Sequence, residues 1–371
     1  MTEEDMAKKG GYGFGIVGCG MVADFHAQAI AAMKGGHLAC VFSRRQESAA
    51  RVAKAHGCAA YTDYKQFLAH PGLDIVTIAT PSGAHLEPAQ EAARAGKHIL
   101  CEKPLEVTLE RIDKMIAVCE QSKVMLAGIF QRRYFESVGV FKKAVDAGRL
   151  GQITLADAYI KWYRTQEYYD SGHWRGTWKL DGGGALMNQS IHTVDLLYYL
   201  TGEVDGVCAF ADRAIHERIQ TEDNAVAILR FKNGALGIIQ GSTACYSPGG
   251  HPAEVHMCGS AGSIFLRDDR LAVWEFRKGR SNDKKIIEKL GAQARTGGAG
   301  AADPAAISFR EHQKNFEDVV RALKKGTRPL IDGPEGRKSV EIILAIYRSA
   351  LAGGKPVKLP LKRTPIRKPF R

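Results

Sequence analysis

The sequence predicts two halves of different class. The first is an α/β half built on a doubly wound parallel sheet, and the second is an α+β half with a large, mostly antiparallel sheet flanked by helices. Three observations predict this. Short apolar runs alternate with helix-patterned segments over the first 130 residues, as βαβα units do when helices cover both faces of a parallel sheet. From residue 153 onward, runs rich in β-branched and aromatic residues follow one another through short turns, as antiparallel strands do. A glycine-rich turn separates the first strand from the first helix.

In chain order, residues 12–17 are an apolar strand ending in glycines, and 21–33 carry a helical pattern. Strand 38–42 and helix 47–56 follow, then strand 75–79, helix 86–95, strand 98–101, helix 109–122 and strand 124–128. These strands are nearly continuous in apolar residues, which fits burial on both faces. The domain boundary falls near 128–133, so residues 1–130 form the first domain and residues 131–371 the second. The second opens on strand 153–163 and helix 185–200, then strands 204–211, 224–231, 236–242, 253–258, 263–266 and 271–276. Lys232-Asn233-Gly234 is a hairpin signal. Residues 292–306, rich in Gly and Ala, read as a mobile loop, and helices 311–324 and 335–351 close the chain.

Composition narrows the function. A length of 371 residues suits two domains, and 45% hydrophobic residues suffice for packed cores. The net charge of +12 is concentrated at the end. Residues 355–371 hold seven basic side chains and no acid, beyond the last segment expected to pack. The charge is therefore a basic tail, and a nucleic-acid partner is not expected. No apolar run reaches 18 residues, and residues 1–11 are polar, so neither a membrane span nor a secretory signal is expected. The eight cysteines form no C-x-x-C pair. Metal-site spacing is absent, and the thiols read as reduced groups of a cytoplasmic protein.

Gly18-Cys19-Gly20-Met21-Val22-Ala23 matches G-x-G-x-x-A between a strand and a helix, the context of a Rossmann dinucleotide-binding fold. Gly18 permits the tight turn, Gly20 lets the backbone approach a pyrophosphate, and Ala23 lets helix and strand pack closely. Met21 and Val22 offer the free N–H groups of the helix start. The overlapping register Gly13, Gly15 and Gly18 leaves no strand before the turn and is rejected. An acid that would bond the ribose 2′-OH is missing at the end of the second strand, which reads Phe42-Ser43-Arg44-Arg45. Ser43 and Arg44 suit a 2′-phosphate, so NADP is favoured. NAD stays open, because Arg44 can equally stack on the adenine. Two more strand ends carry Thr80-Pro81-Ser82-Gly83-Ala84-His85 and Glu102-Lys103-Pro104. Ligands bind at such carboxyl ends.

These segments resemble the Gfo/Idh/MocA family, named for glucose–fructose oxidoreductase, inositol dehydrogenase and a rhizopine-catabolism protein. The likeness spans nearly the whole chain. It rests on the glycine turn, Thr80-Pro81, Glu102-Lys103-Pro104, Gly182-Gly183-Gly184 leading to His192, Asn315-Phe316 and residues 356–361. The resemblance implies that Lys103 lies between substrate and nicotinamide and hydrogen-bonds the reacting oxygen. It also implies that Glu102, with Thr80, Pro81 and His85, shapes the cofactor pocket. Where the family's helix has Asp, three residues and His, this chain has Asn188 and His192, which at i and i+4 share a helix face. His192 suits the hydroxyl proton. Asn188 cannot titrate, so either Lys103 or His192 is the base. Asp195 either orients His192 or faces solvent.

Residues 163–178 are rich in aromatics, as a carbohydrate site requires, and Tyr163, Tyr169 and Trp178 are candidate substrate contacts. Tyr168 belongs to the same segment. The resemblance places Trp174 and Arg175 beside the nicotinamide, and one of Arg132 and Arg133, with Arg132 preferred, against the substrate. It implies an NAD(P)-dependent dehydrogenase acting on a secondary alcohol or ketone of a sugar, sugar derivative or cyclitol, assembled as a homodimer or homotetramer. Two alternatives are a redox-neutral sugar-converting enzyme with tightly bound cofactor and a non-catalytic sugar- or nucleotide-sensing protein. Lys103 and His192 together argue against the second.

Overall fold

Six parallel strands carry the first unit in the computed structural model, which describes residues 11–248, 250–292, 308–366 and 368–370. They are β1 Tyr12–Val17, β2 Gly36–Phe42, β3 Ala59–Tyr61, β4 Ile75–Ile78, β5 His98–Cys101 and β6 Leu126–Gly128, in the order β3-β2-β1-β4-β5-β6. Every residue of the central strands β1 and β4 is buried, as expected for a sheet covered on both faces. The order reverses between β1 and β4, which sets a ligand crevice at their carboxyl ends. The strand β3 was not foreseen. It is three residues long, partly exposed and at the sheet edge, so it carries no apolar run to read.

Among the described residues the units are not contiguous in sequence: those from 11 to 131 and from 308 to 337 cluster as one, and those from 132 to 292 and from 338 on as the other. The helix Arg310–Lys325 explains the return. Its apolar stripe buries Phe316, Val319 and Val320 in one core with Phe14, Ile16 and Ile30. The Phe14 and Phe316 rings lie 5.6 Å apart. Burial of side chains this size contributes roughly 1.5–3 kcal/mol each, enough to hold the helix to the first sheet.

The second unit is built on eight strands. They are β7 Ile153–Lys161, β8 Val204–Asp212, β9 Asn224–Phe231, β10 Leu236–Ser242, β11 Ala253–Gly259, β12 Gly262–Arg267, β13 Arg270–Phe276 and β14 Val357–Lys358. Their order is β13-β12-β11-β7-β10-β9-β8-β14, antiparallel throughout except for the parallel pair β7–β10. Residues alternate strictly between exposed and buried along β9, so one face of this sheet is covered and the other open. The Gly/Ala-rich loop expected at 292–306 lies, apart from Ala292, outside the described residues.

The basic tail is corrected: it packs. Its residues 357–358 form β14 against β8, and the N–H of Leu361 donates to Glu341 Oε1 at 2.7 Å. The Phe370 ring is buried against Trp178 and Tyr347, with centroids 5.7 and 6.0 Å away. Among the described residues no helix is long and apolar enough to cross a membrane.

Candidate active site

The glycine turn joins β1 to the helix Met21–Ala32. Gly18 has φ +98°, and a Cβ there would stand 2.7 Å from the Ala79 carbonyl oxygen, so only glycine fits the crossing beside β4. A Cβ at Gly20 would meet nothing within 4 Å. That open space lies at a helix N-terminus whose cap residue supplies no side-chain bond, which is where a pyrophosphate fits. Ala23 is fully buried, as close helix–strand packing needs. The intervening Cys19 thiol is pushed up to about 11 by burial, against the nearby charge of Arg51. The two glycines should therefore respond differently. Gly18→Ala is expected to destabilise the fold by about 1–3 kcal/mol through backbone strain. Gly20→Ala should leave the thermal midpoint unchanged yet weaken dinucleotide binding, measured by fluorescence titration with the reduced cofactor.

At the end of β2, the Ser43 hydroxyl accepts the Arg45 N–H at 3.2 Å and so keeps its own proton to donate. Arg44 and Arg45 are exposed. Thr80 donates its hydroxyl to the Ala84 carbonyl at 3.0 Å, closing the turn that follows Pro81. His85 is corrected. Its ring is buried, with Nε2 2.9 Å from the Thr80 carbonyl oxygen and Nδ1 3.0 Å from that of Pro104. It ties the ends of β4 and β5 together.

Glu102 is a strut as well. Its Oε1 accepts from His26 Nε2 at 2.9 Å and its Oε2 accepts the backbone N–H of Lys103 at 3.1 Å. His26 Nδ1 lies 3.0 Å from the Thr77 hydroxyl. Burial pushes the Glu102 carboxyl up, but hydrogen bonds from His26 and His312 outweigh it and hold the group well below the usual range. Burial lowers His26 despite the neighbouring carboxylate. The lowered His26 fits a neutral ring that donates Nε2–H to Glu102 and accepts the Thr77 proton. The donor atoms of His26, Glu102 and His312 lie within 4.8 Å of one another, but the His26–Glu102 hydrogen bond occupies that space. The result is a lysine backbone held rigidly at the carboxyl end of β5.

In the second unit the expected helix 185–200 starts as a π-helical turn, Ala185–Ser190, and becomes α-helical from Ile191. Glu222 sets the wider turn. Its carboxylate accepts the N–H groups of Gly184 and Leu186 at 3.0 and 2.8 Å, and its carbonyl accepts that of Ala185. A Cβ at Gly184 would stand 1.7 Å from that carbonyl oxygen, which is why the chain is glycine there. Burial pushes the Glu222 carboxyl up to about 7 against these donors. Asn188 lies in the π turn and His192 in the first α turn, both half-buried among buried neighbours. Asn188 Nδ2 donates to Asp181 Oδ1 at 2.7 Å.

The aromatic segment divides. Tyr169 and Trp178 are buried. The Tyr169 hydroxyl is 2.8 Å from Thr243 Oγ1, and Trp178 Nε1 donates to the Lys368 carbonyl at 3.1 Å. Tyr163 packs edge-on to Tyr246 with centroids 5.3 Å apart and is half-buried. Arg175 lies over the Tyr168 and Trp174 rings, 4.3 and 4.9 Å from their centroids, a cation–π stack that holds Trp174 and Arg175 as a pair. Both arginine candidates are engaged in ion pairs. Arg132 binds Asp269 Oδ2 through Nε and Nη2 at 3.0 and 2.9 Å and reaches Thr193 Oγ1. Arg133 forms a fully buried two-pronged pair with Asp195 at 2.7 and 2.6 Å. Asp195, also bonded by the Ser339 hydroxyl, is buried and does not face solvent. Sequence reasoning missed Asp181, whose one signal is its place before the glycine run, and Glu222, which has none.

Known proteins show the same two parts. Residues 12–130 match the model of the oxidoreductase family with an NAD-binding Rossmann fold, and residues 140–265 match the GFO/IDH/MocA C-terminal domain. The WlbA dehydrogenase of Bordetella pertussis, solved with NADH and UDP-GlcNAcA, is 33% identical, with a TM-score of 0.85 over 95% of this chain and 99% of that one. Myo-inositol 2-dehydrogenase of Thermotoga maritima is 27% identical over 93% of this chain and 98% of its own length. The scyllo-inositol 2-dehydrogenase (NAD(+)) of Bacillus subtilis is 28% identical over 94% and 96%.

Proposed function

The chain belongs to the GFO/IDH/MocA oxidoreductase family, and from that premise we propose that it is an NAD(P)-dependent dehydrogenase acting on a secondary alcohol or ketone carbon of a sugar, sugar derivative or cyclitol. The observation that carries this reading is the Glu102 strut, which fixes Lys103 at the carboxyl end of β5 in a sheet whose Gly20 leaves room for a pyrophosphate. When bound, the nicotinamide accepts or supplies the hydride. Lys103 hydrogen-bonds the substrate oxygen and stabilises the negative charge that develops there. His192 takes the hydroxyl proton in the oxidative direction and returns it in the other. Asn188 bonds a neighbouring hydroxyl, and Trp174 with Arg175 borders the cofactor.

Among the substrates named for relatives, the nucleotide-linked sugar UDP-GlcNAcA accompanies 33% identity, above the 27–28% of the inositol dehydrogenases. It heads the panel, followed by inositols and simple aldoses. The test is a spectrophotometric assay of dinucleotide reduction with that panel, beside direct dinucleotide titration. Turnover with one class establishes the reading. Dinucleotide binding to neither form, with no turnover, overturns it.

For the cofactor we propose NADP, held at its 2′-phosphate by the Ser43 hydroxyl and Arg44. The NADH named with the WlbA relative makes NAD the alternative to be excluded. Arg44→Ala is expected to weaken NADPH binding by about 10- to 100-fold and leave NADH unaffected, as removal of one charge-assisted hydrogen bond requires. Equal loss for both cofactors would make Arg44 an adenine stacker. The open face of the second sheet exposes Phe210, Val226, Ile228 and Leu236, a surface suited to a second copy of this chain. We propose a cytoplasmic homo-oligomer, checked by analytical ultracentrifugation.

A further inference from the structure

Asp181 ends the aromatic segment, immediately before the glycine run, and is 1% exposed. Both of its carboxylate oxygens are engaged. Oδ1 accepts Asn188 Nδ2 at 2.7 Å, and Oδ2 accepts the backbone N–H of Gly176 at 2.8 Å. Gly176 is itself held, since its carbonyl accepts the Gln220 N–H at 2.8 Å and the Thr221 hydroxyl at 3.2 Å. One buried carboxylate thus links the corner that follows Trp174 and Arg175 to the π turn that carries Asn188.

The bond also fixes which end of the amide is which. An ionised carboxylate only accepts, so the nitrogen of Asn188 must face Asp181 and the carbonyl oxygen is turned from it. A carboxylate at 188 would instead place two acceptors within hydrogen-bond distance, and two such groups cannot both ionise. We propose that Asp181 is a positioning residue of the substrate site: it orients the Asn188 amide so that a carbonyl oxygen meets a substrate hydroxyl, and it is the reason residue 188 is an amide. For the substrate, the inference rests on the dehydrogenase reading above; for the pairing of the two side chains, it does not.

The test uses the full chain with Asp181→Asn, with Asn188→Asp and with both together, each measured against wild type from about pH 5 to about pH 8, the range that spans a raised carboxyl pKa. Thermal unfolding reads the pairing, and KM and kcat read the site. Asp181→Asn is expected to raise KM for the sugar about tenfold with a smaller change in kcat, since an amide at 181 can donate as well as accept and no longer dictates the polarity of Asn188. With Asn188→Asp alone, one of the paired carboxyls has its folded pKa raised above the unfolded value. Stability relative to wild type is then retained at low pH and lost as pH rises. The double variant restores a carboxylate–amide pair with its polarity reversed and abolishes that pH dependence. Tyr169 and Tyr347 feel the Asp181 charge, and Glu222, beside Tyr347 and pushed up to about 7, titrates in the same range. Both tyrosines are pushed well above the pH range measured, and Glu222 is common to every variant, so the comparison with wild type isolates the pair.

Wild-type KM and kcat in Asp181→Asn would overturn the positioning role. An Asn188→Asp unfolding profile parallel to wild type, or a double variant no better than Asn188→Asp, would overturn the pairing. If Asn188→Asp does not fold, recovery of a folded chain in the double variant supports the pairing, and failure to recover overturns it. A wild-type protein that turns over no sugar ends the dehydrogenase reading and the substrate half of the inference, while the unfolding profiles still decide the pair.

Discussion

Replacing Lys103 with methionine is expected to lower kcat about a thousandfold, the scale of losing a charged donor to a developing oxyanion, and to leave dinucleotide binding intact. Methionine keeps most of the unbranched stem and removes only the ammonium group. The backbone is expected to stay in place, because its N–H donates to Glu102, which is held in turn by His26. Stopped-flow measurement of hydride transfer, with cofactor titration on the same preparation, separates the two effects. Full activity in Lys103→Met would remove the lysine from the chemistry. Loss of cofactor binding together with turnover would make it a cofactor contact instead.

The second large effect is on stability. Asp195→Ala leaves Arg133 charged in a site where both side chains are at most 1% exposed. Removing one partner of such a pair costs about 3–5 kcal/mol. For a unit of this size that corresponds to a fall of roughly 10 °C in the thermal midpoint. The Arg133 guanidinium also stacks on the Tyr199 ring, 4.5 Å from its centroid, and Asp195 accepts the Ser339 hydroxyl at 2.8 Å. The loss therefore spreads beyond one contact. Replacing both members by apolar residues of similar volume should recover most of the stability, because the penalty lies in the unpaired charge. Calorimetry on the single and double variants checks both statements. A single variant with a wild-type midpoint would mean that water reaches Arg133.

Most strands were legible because burial writes itself into side-chain order. In β9, exposed and buried residues alternate without exception. In β1 all six residues are buried, and the sequence there is correspondingly apolar. The glycine turn was legible for the same reason, since Gly18 stands where no side chain fits. Functional side chains were less legible. Tyr169 and Trp178 have the chemistry of sugar contacts, but an aromatic ring with a polar tip serves equally in a core when Thr243 or the Lys368 carbonyl receives the tip. Arg132 and His85 had the right charge or ring for a ligand and were taken by Asp269 and by the Thr80 and Pro104 carbonyls. In each case the partner is distant in sequence or reached through the backbone, and a motif does not name it.

By itself the sequence determined the class of each half, the glycine turn and the place of Lys103 after β5. Those features are local: they depend on periodicity, on a glycine's missing Cβ or on spacing of a few residues. Only the tertiary structure decided which polar groups serve as struts. It returned the helix Arg310–Lys325 to the first unit, seated the basic tail on the second, opened the Ala185–Ser190 turn around Glu222 and set Asp181 against Asn188. The physical reason is common to all four. A buried polar or apolar group is settled by whichever partner the fold brings within reach, and that partner is chosen by packing in three dimensions.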